Sequence, residues 1–189
     1  MITKYRPRIL AELEKLVPPL KPTKVLDFGS GDGYFASHIS KLPDVGHVVP
    51  VDVVERKNSL VVPEIYDGNR LPFPDRSFDL VYSIDVIHHC LDPLSAIDDM
   101  MRCSSRYLLI KDHNYHSAFG RYSLAILDEI GNRRFGIPSP YLYQRNWEWM
   151  NWIESHGFKR LSFMHPMTCQ KGPLALTNRL QFVALWERH

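Results

Sequence analysis

With 189 residues, a hydrophobic share of 44% and a charged share of 23%, the chain has the size and balance of one globular domain that builds its core without disulfides or metal. A formal net charge of +2 supplies no field for steering a polyanion, so nucleic acid is not an expected partner. No apolar run approaches the roughly 18 residues of a membrane span and no cationic-then-apolar leader opens the chain, so a cytoplasmic protein without a membrane span is expected.

Residues 7–17 read as an amphipathic helix with Ile9, Leu10, Leu13, Leu16 and Val17 on one face, stopped by Pro18 and Pro19. Residues 23–28 form the first strand, and the helix at 34–40 follows a loop spelled Asp27-Phe28-Gly29-Ser30-Gly31-Asp32-Gly33. Glycine at every second position lets the backbone turn sharply and bring its N–H groups close to a ligand. A dinucleotide fingerprint would need glycine at position 34, where Tyr34 stands, so a nicotinamide oxidoreductase is disfavoured. The acid at Asp27 suits a ligand carrying positive charge and would repel a pyrophosphate. This loop resembles that of class I S-adenosylmethionine-dependent methyltransferases, whose cofactor carries an ammonium and a sulfonium.

The second strand, 47–54, carries Asp52 and Val53 at its end, 25 residues after Asp27. An acid there can accept both ribose hydroxyls of an adenosine. Residues 55–65 leave room for only a turn or two before a third strand near 61–66. The spelling Asp67-x-x-x-Leu71-Pro72-Phe73-Pro74-Asp75-x-Ser77-Phe78-Asp79-Leu80-Val81 resembles the small-molecule methyltransferases that include the ubiquinone and menaquinone enzymes. The resemblance implies that Asp67 receives the adenine amino group, with the Gly68 backbone and Asn69 side chain beside it. It also implies that Gly29, Ser30, Gly31, Gly33, Tyr34, Val53 and Ser83 line the cofactor.

The fourth strand ends at Ile84, and the paired-histidine segment after it, Ser83 to Pro93, again resembles that family. Asp92 caps and Pro93 opens a helix with Leu94, Ile97 and Met101 on its apolar face. A fifth strand spans 104–111, preceded by Cys103-Ser104-Ser105-Arg106 where the family carries a Pro-Gly-Gly turn. Residues 112–143 show no strand pattern; a helix at 117–130 closed by Gly131 and a proline-rich loop make 113–143 an insertion that would cover the acceptor. A helix at 146–156 turns Trp149, Trp152 and Ile153 inward, and strands at 158–164 and 180–186, joined through Gly172-Pro173, form an antiparallel pair. The expected fold is α/β: a Rossmann-like, seven-stranded, mostly parallel sheet with helices on both faces and an antiparallel C-terminal pair. It forms one domain over 1–189, with the N-terminal helix within 1–19, and the recognisable resemblance covers about residues 20–112.

Methyl transfer from a sulfonium displaces an already activated carbon, so the protein has mainly to align the acceptor and exclude water. An oxygen or nitrogen acceptor can require a base, and His88, His89 and His113 are the candidates, with His116 further out. No metal is expected: the histidines lack a helical His-x-x-x-His spacing, and Cys90, Cys103 and Cys169 form no C-x-x-C pair. Tyr115, Phe119, Tyr122, Phe135, Tyr141 and Tyr143 could wall a flat acceptor, with Arg133 and Arg134 offering charge. The fourth strand lacks the Asn/Asp-Pro-Pro-Tyr signature of amino-group methylation, and Cys90 follows His89 where a cytosine C5 nucleophile would follow proline. A small-molecule acceptor is the default. A non-catalytic module that binds S-adenosylmethionine or S-adenosylhomocysteine, as a sensor or partner subunit, is the alternative, and the oligomeric state is left open.

Overall fold

The near-continuous apolar spelling of residues 25–28, 48–51 and 78–84 is what strands buried on both faces require. In the computed structural model, which describes residues 4–132 and 140–189 apart from the side chains of 130–132, these stretches form the middle of one sheet. The strands are β1 (Lys24–Phe28), β2 (His47–Asp52), β3 (Glu64–Ile65), β4 (Phe78–Ile84), β5 (Ser104–Tyr115), β6 (Gln144–Arg145), β7 (Phe158–Met164) and β8 (Gln181–Arg188). Their order is β3-β2-β1-β4-β5-β8-β7, with β6 paired to the far end of β5. The strands β1 to β5 run parallel, and β8 is antiparallel to both β5 and β7. The seven-strand path with its antiparallel close is therefore present, and β6 is a two-residue addition beside it.

Among the described residues five α-helices cover the sheet: α1 (Tyr5–Leu16), α2 (Tyr34–Ile39), α3 (Pro93–Cys103), α4 (Ala118–Asn132) and α5 (Glu148–Ser155). Alternation along each strand divides the core. Leu26, Val81, Leu108 and Ile110 pack with Ile97 and Met100 of α3 and with Trp149, Met150 and Ile153 of α5. Val25, Leu80 and Tyr82 pack on the other side with Ile9, Leu10 and Leu13 of α1 and with Ala36 and Ile39 of α2. Each such aliphatic side chain, fully withdrawn from water, stabilises the fold by about 1.5–3 kcal/mol.

Several boundaries depart from expectation for local reasons. α1 begins at Tyr5, because Pro7 in the first turn lacks no N–H that the helix would use, and Pro18–Leu20 add a 3-10 turn instead of a bare stop. β3 has two residues and both are exposed, since this edge strand has only β2 to pair with. β5 runs on to Tyr115, so His113 and Asn114 lie in a strand and the insertion starts later. Its polar end is held by β8 on one side and β6 on the other. α3 passes into β5 with no connecting residue, Cys103 ending one and Ser104 opening the other.

The Leu71 to Asp75 motif is fastened to α3. Asp99 accepts from the Leu71 amide at 2.6 Å, and the Arg102 guanidinium donates to the carbonyls of Phe73 at 2.7 Å and Leu71 at 3.1 Å and to Asp75 at 2.9 Å. Part of that motif is thus a docking device for the segment leading into β4. Asp79, in β4, accepts from the amides of Thr23 and Lys24 and so pins the start of β1 beside it.

Candidate active site

The glycine loop leaves β1 and is tied to the end of β2. Gly29 and Ser30 donate their N–H groups to the Val51 carbonyl at 2.9 and 3.0 Å, and Gly31 donates to Asp52 Oδ2 at 2.7 Å. Gly29 has φ +74°, and a Cβ there would lie 2.2 Å from Val86 Cγ1. Gly33 has φ +73°, and a Cβ would meet the Val61 amide nitrogen at 2.7 Å. The loop is threaded between the turn after β4 and the segment after β2, and only glycine fits there.

Asp52 is buried at the end of β2, its Oδ1 accepting from Val53 at 2.7 Å and Val54 at 3.3 Å. Asp67 is exposed and accepts from the Asn69 amide at 2.9 Å and from Asn69 Nδ2 at 3.1 Å, closing a turn in which Gly68 adopts φ +82°. Those bonds hold its carboxyl below the usual carboxylate range. Asp27 is only 2% exposed, beside Tyr82 in the register of β1 and β4. Burial pushes its carboxyl up to about 7, against the opposing pull of the Tyr82 hydroxyl.

S-adenosylmethionine fits these residues by what they leave unmet. Asp27 Oδ2, Ser30 Oγ and Ser83 Oγ are buried and have no hydrogen-bond partner among the described residues. Ser83 is the register neighbour of Phe28, so the three lie at adjoining strand ends around the loop. Buried polar atoms are normally satisfied, and a polar ligand at this edge would satisfy them. Tyr34 opens α2, its amide 3.2 Å from Asp32 Oδ1, and Val53 is exposed beside the loop. The spacing signal does not reach Arg56, whose guanidinium carbon lies 3.3 Å from where a Gly31 Cβ would be.

A second polar cluster lies where β4 and β5 end. His88 and His89 sit in a 3-10 turn after β4, and Asp112 and His113 in β5. Asp112 Oδ1 lies 2.6 Å from His88 Nδ1 and 3.0 Å from His113 Nδ1, and Asp112 also accepts from the amides of Ile87 and His113. Burial disfavours the His88 imidazolium, but Asp112 and then Asp128 overrule it and raise its pKa to about 10. His89 is pushed down to about 4 by burial and by the neighbouring His88 charge. Burial likewise lowers His113, against the pull of Asp112. The Asp112 carboxyl is held far below the usual range: burial opposes this, and His88 and His113 outweigh it.

The three candidate histidines therefore converge, and Asp112 and Asp128 join them unannounced by any motif. Lys111-Asp112-His113 was the available signal, a charged run inside a strand flanked by others. Beside it the Lys111 Nζ, fully buried, donates to Tyr5 of α1 at 2.6 Å, to Asp85 at 2.5 Å and to Gln181 at 2.6 Å. His116 is drawn away, to Asn114 at 3.0 Å and Asn146 at 2.8 Å. The aromatic set divides. Tyr143 is buried against His88, with ring centres 5.2 Å apart, while Phe119 and Tyr122 are exposed on α4. Tyr115 and Tyr141 pack with Leu124, Tyr143 and Leu180. Arg133, Arg134 and Phe135 lie outside the described residues.

A family profile described as a methyltransferase domain matches residues 1–163. The chain is 30% identical over 139 residues to a malonyl-[acyl-carrier protein] O-methyltransferase of a Marinomonas species, covering 68% of this chain and 49% of that protein. It is 32% identical over 107 residues to the 27-O-demethylrifamycin SV methyltransferase of Amycolatopsis mediterranei, covering 50% of this chain and 39% of that one. The chain thus spans half or less of the length of these curated relatives. Among solved structures, an S-adenosylmethionine dependent methyltransferase from Mesorhizobium loti shares the fold with a TM-score of 0.67, at 15% identity, over 94% of this chain and 96% of that one. With a profile match over most of its length and the strand order to go with it, the chain belongs to the methyltransferase-domain family, class I and S-adenosylmethionine-dependent.

Proposed function

We propose that the protein transfers a methyl group from S-adenosylmethionine to a small-molecule acceptor, in the manner of the small-molecule class that includes the ubiquinone and menaquinone enzymes. The observation that carries the reading is the clasp between Gly31 and Asp52, which presents a glycine loop and an acid together at the carboxyl edge of the sheet. In this reading Asp52 and Val53 border the ribose, Asp67, Gly68 and Asn69 the adenine, and Asp27, Gly29, Ser30, Gly33, Tyr34 and Ser83 the methionine end. The bound donor supplies a methyl on a positively charged sulfur. The chain's own task is to align the acceptor and exclude water.

Among the histidines, His113 is the favoured base. Asp112 holds its Nδ1, which leaves Nε2 as the accepting nitrogen, and it is neutral near pH 7. His88 keeps its proton at that pH and orients the cluster; His89 is neutral but a weak base. Residues from Tyr115 through α4 to Tyr143 cover the acceptor in this reading.

Calorimetry with S-adenosylmethionine and NAD, followed by a search for S-adenosylhomocysteine formation over a panel of hydroxylated, carboxylated and aminated acceptors, tests the proposal. Saturable binding of the methyl donor with no binding of NAD is expected. Tighter binding of NAD would overturn the reading, and donor binding without turnover on any acceptor would favour the non-catalytic module.

A further inference from the structure

We propose that Lys111 is a positioning residue for His113: it holds the Asp85 carboxylate away from the imidazole, so that Asp112 orients the ring and the accepting nitrogen stays free of a proton. The inference rests on the reading of His113 as the base.

Lys111 and His113 are two residues apart in β5, and side chains alternate along a strand, so both stand on the face of Tyr107 and Leu109, which packs against α1. Gln181 is the register partner of His113 in β8, and its Oε1 accepts from Lys111 Nζ at 2.6 Å. Asp85 reaches the same place from the end of β4. Its backbone is left-handed, with φ +56°, a conformation that aspartate tolerates better than most residues, and its amide donates to the Lys111 carbonyl at 2.9 Å. The chain turns there and carries the carboxylate across to β5.

Both oxygens of that carboxylate are engaged. Oδ1 accepts from Lys111 Nζ at 2.5 Å and Oδ2 from the Tyr5 hydroxyl at 2.9 Å. The Tyr5 oxygen in turn accepts from Lys111 Nζ at 2.6 Å, so that with Gln181 the ammonium uses all three of its N–H donors. A carboxylate and two neutral oxygens are the surroundings that a fully buried ammonium requires. The consequence falls on His113, whose Nδ1 lies 3.0 Å from Asp112 Oδ1 but 3.7 Å from Asp85 Oδ1, beyond hydrogen-bond reach.

Released from Lys111, Asp85 would become a second carboxylate on Nδ1. Two carboxylates favour the imidazolium, which has no nitrogen left to take a proton. The ammonium also opposes the imidazolium by its own charge. Among the groups that face the ring, burial and then Lys111 and His88 lower its pKa, and Asp112 and Asp85 raise it. The Tyr143 ring lies 6.0 Å from that of His113, and His89 and Asp128 of α4 stand on the other side of His88.

The test follows the imidazole signals of the full chain against pH by proton–nitrogen NMR, with His113 assigned by comparison with His113→Gln. Native His113 should be neutral at pH 7, with its proton on Nδ1. In Lys111→Met its titration should move up by about one pH unit, because the restraint on Asp85 and the opposing charge are both lost. In Asp85→Asn it should move down, and the double variant, which lacks both charges, should return to within about half a pH unit of the native protein. Circular dichroism confirms that each variant is folded. Where Lys111→Met strands its buried carboxylate and does not fold, the difference between Asp85→Asn and the double variant isolates the effect of Lys111. An identical His113 titration in the native protein and every folded variant would overturn the role of Lys111, and so would a native His113 charged at pH 7. The measurement needs neither donor nor acceptor, which keeps the two readings apart: a titration that moves as expected while the pH profile of S-adenosylhomocysteine formation stays in place would remove His113 as the base and leave its control by Lys111 standing.

Discussion

His88 Nδ1 and Asp112 Oδ1 lie 2.6 Å apart, with both side chains withdrawn from water. Breaking a buried pair of this kind by neutralising one partner costs about 3–5 kcal/mol. Asp112→Asn is therefore expected to lower the urea midpoint strongly. Arg106→Ala, which removes an exposed ion pair with Glu187, should leave it nearly unchanged.

Donor binding should depend on Asp52 in two separable ways. Asp52→Ala removes both the acceptor for the Gly31 amide and the proposed ribose contact, and at least a tenfold loss of S-adenosylmethionine affinity is expected by calorimetry. Asp52→Asn keeps one oxygen for the loop. An affinity loss in Asp52→Asn without a change in melting temperature would assign the effect to the ribose, whereas unchanged affinity in both variants would remove Asp52 from the site.

Asp27 makes stability fall with rising pH. Its folded carboxyl titrates at about 7, above the value of 3.8 for a free group, so between these values the folded state keeps a proton that the unfolded chain has lost. Stability from this group is fully present below about pH 4, declines as pH rises towards 7 and is level above it. The shift bounds the effect at about 4 kcal/mol. Asp27→Asn should flatten the curve of unfolding free energy against pH and stabilise the protein at pH 8; an unaltered curve would contradict the assignment.

The glycine loop admits a direct steric test. Gly29→Ala puts a methyl 2.2 Å from Val86 Cγ1 on a backbone with φ +74°, so loss of stability and of donor binding is expected from thermal melts and calorimetry. Combining it with Val86→Ala removes the contacts at 2.2 and 2.6 Å but leaves the Val86 Cβ 2.9 Å away and the backbone strain untouched. Partial recovery is the expected outcome, and full recovery would mean that the left-handed conformation costs nothing.

The architecture was legible because its signals are local. Apolar runs bounded by glycine and proline mark β1, β2 and β4, and Asp92-Pro93 marks the start of α3, where Asp92 accepts from the Ser95 amide at 3.1 Å. The limits of β3 and β5 were not legible. β3 depends on how far β2 offers it partners, and the polar end of β5 extends to Tyr115 because strands on both sides accept its backbone. The Leu71 to Asp75 motif was readable as a resemblance, but its attachment to Arg102 and Asp99 was not, since those partners lie in α3, 28 to 31 residues further along the chain.

By itself the sequence determined the parallel sheet, the glycine turn after β1 and the acids at the ends of β1 and β2, because each follows from the order of residues along a few turns or strands. The tertiary structure alone decided what the histidines become. It turned three candidate bases into one protonated and two neutral imidazoles around Asp112, and brought Asp128 to them from α4. Protonation depends on burial and on charges across space, and neither is written in the spacing of residues along the chain.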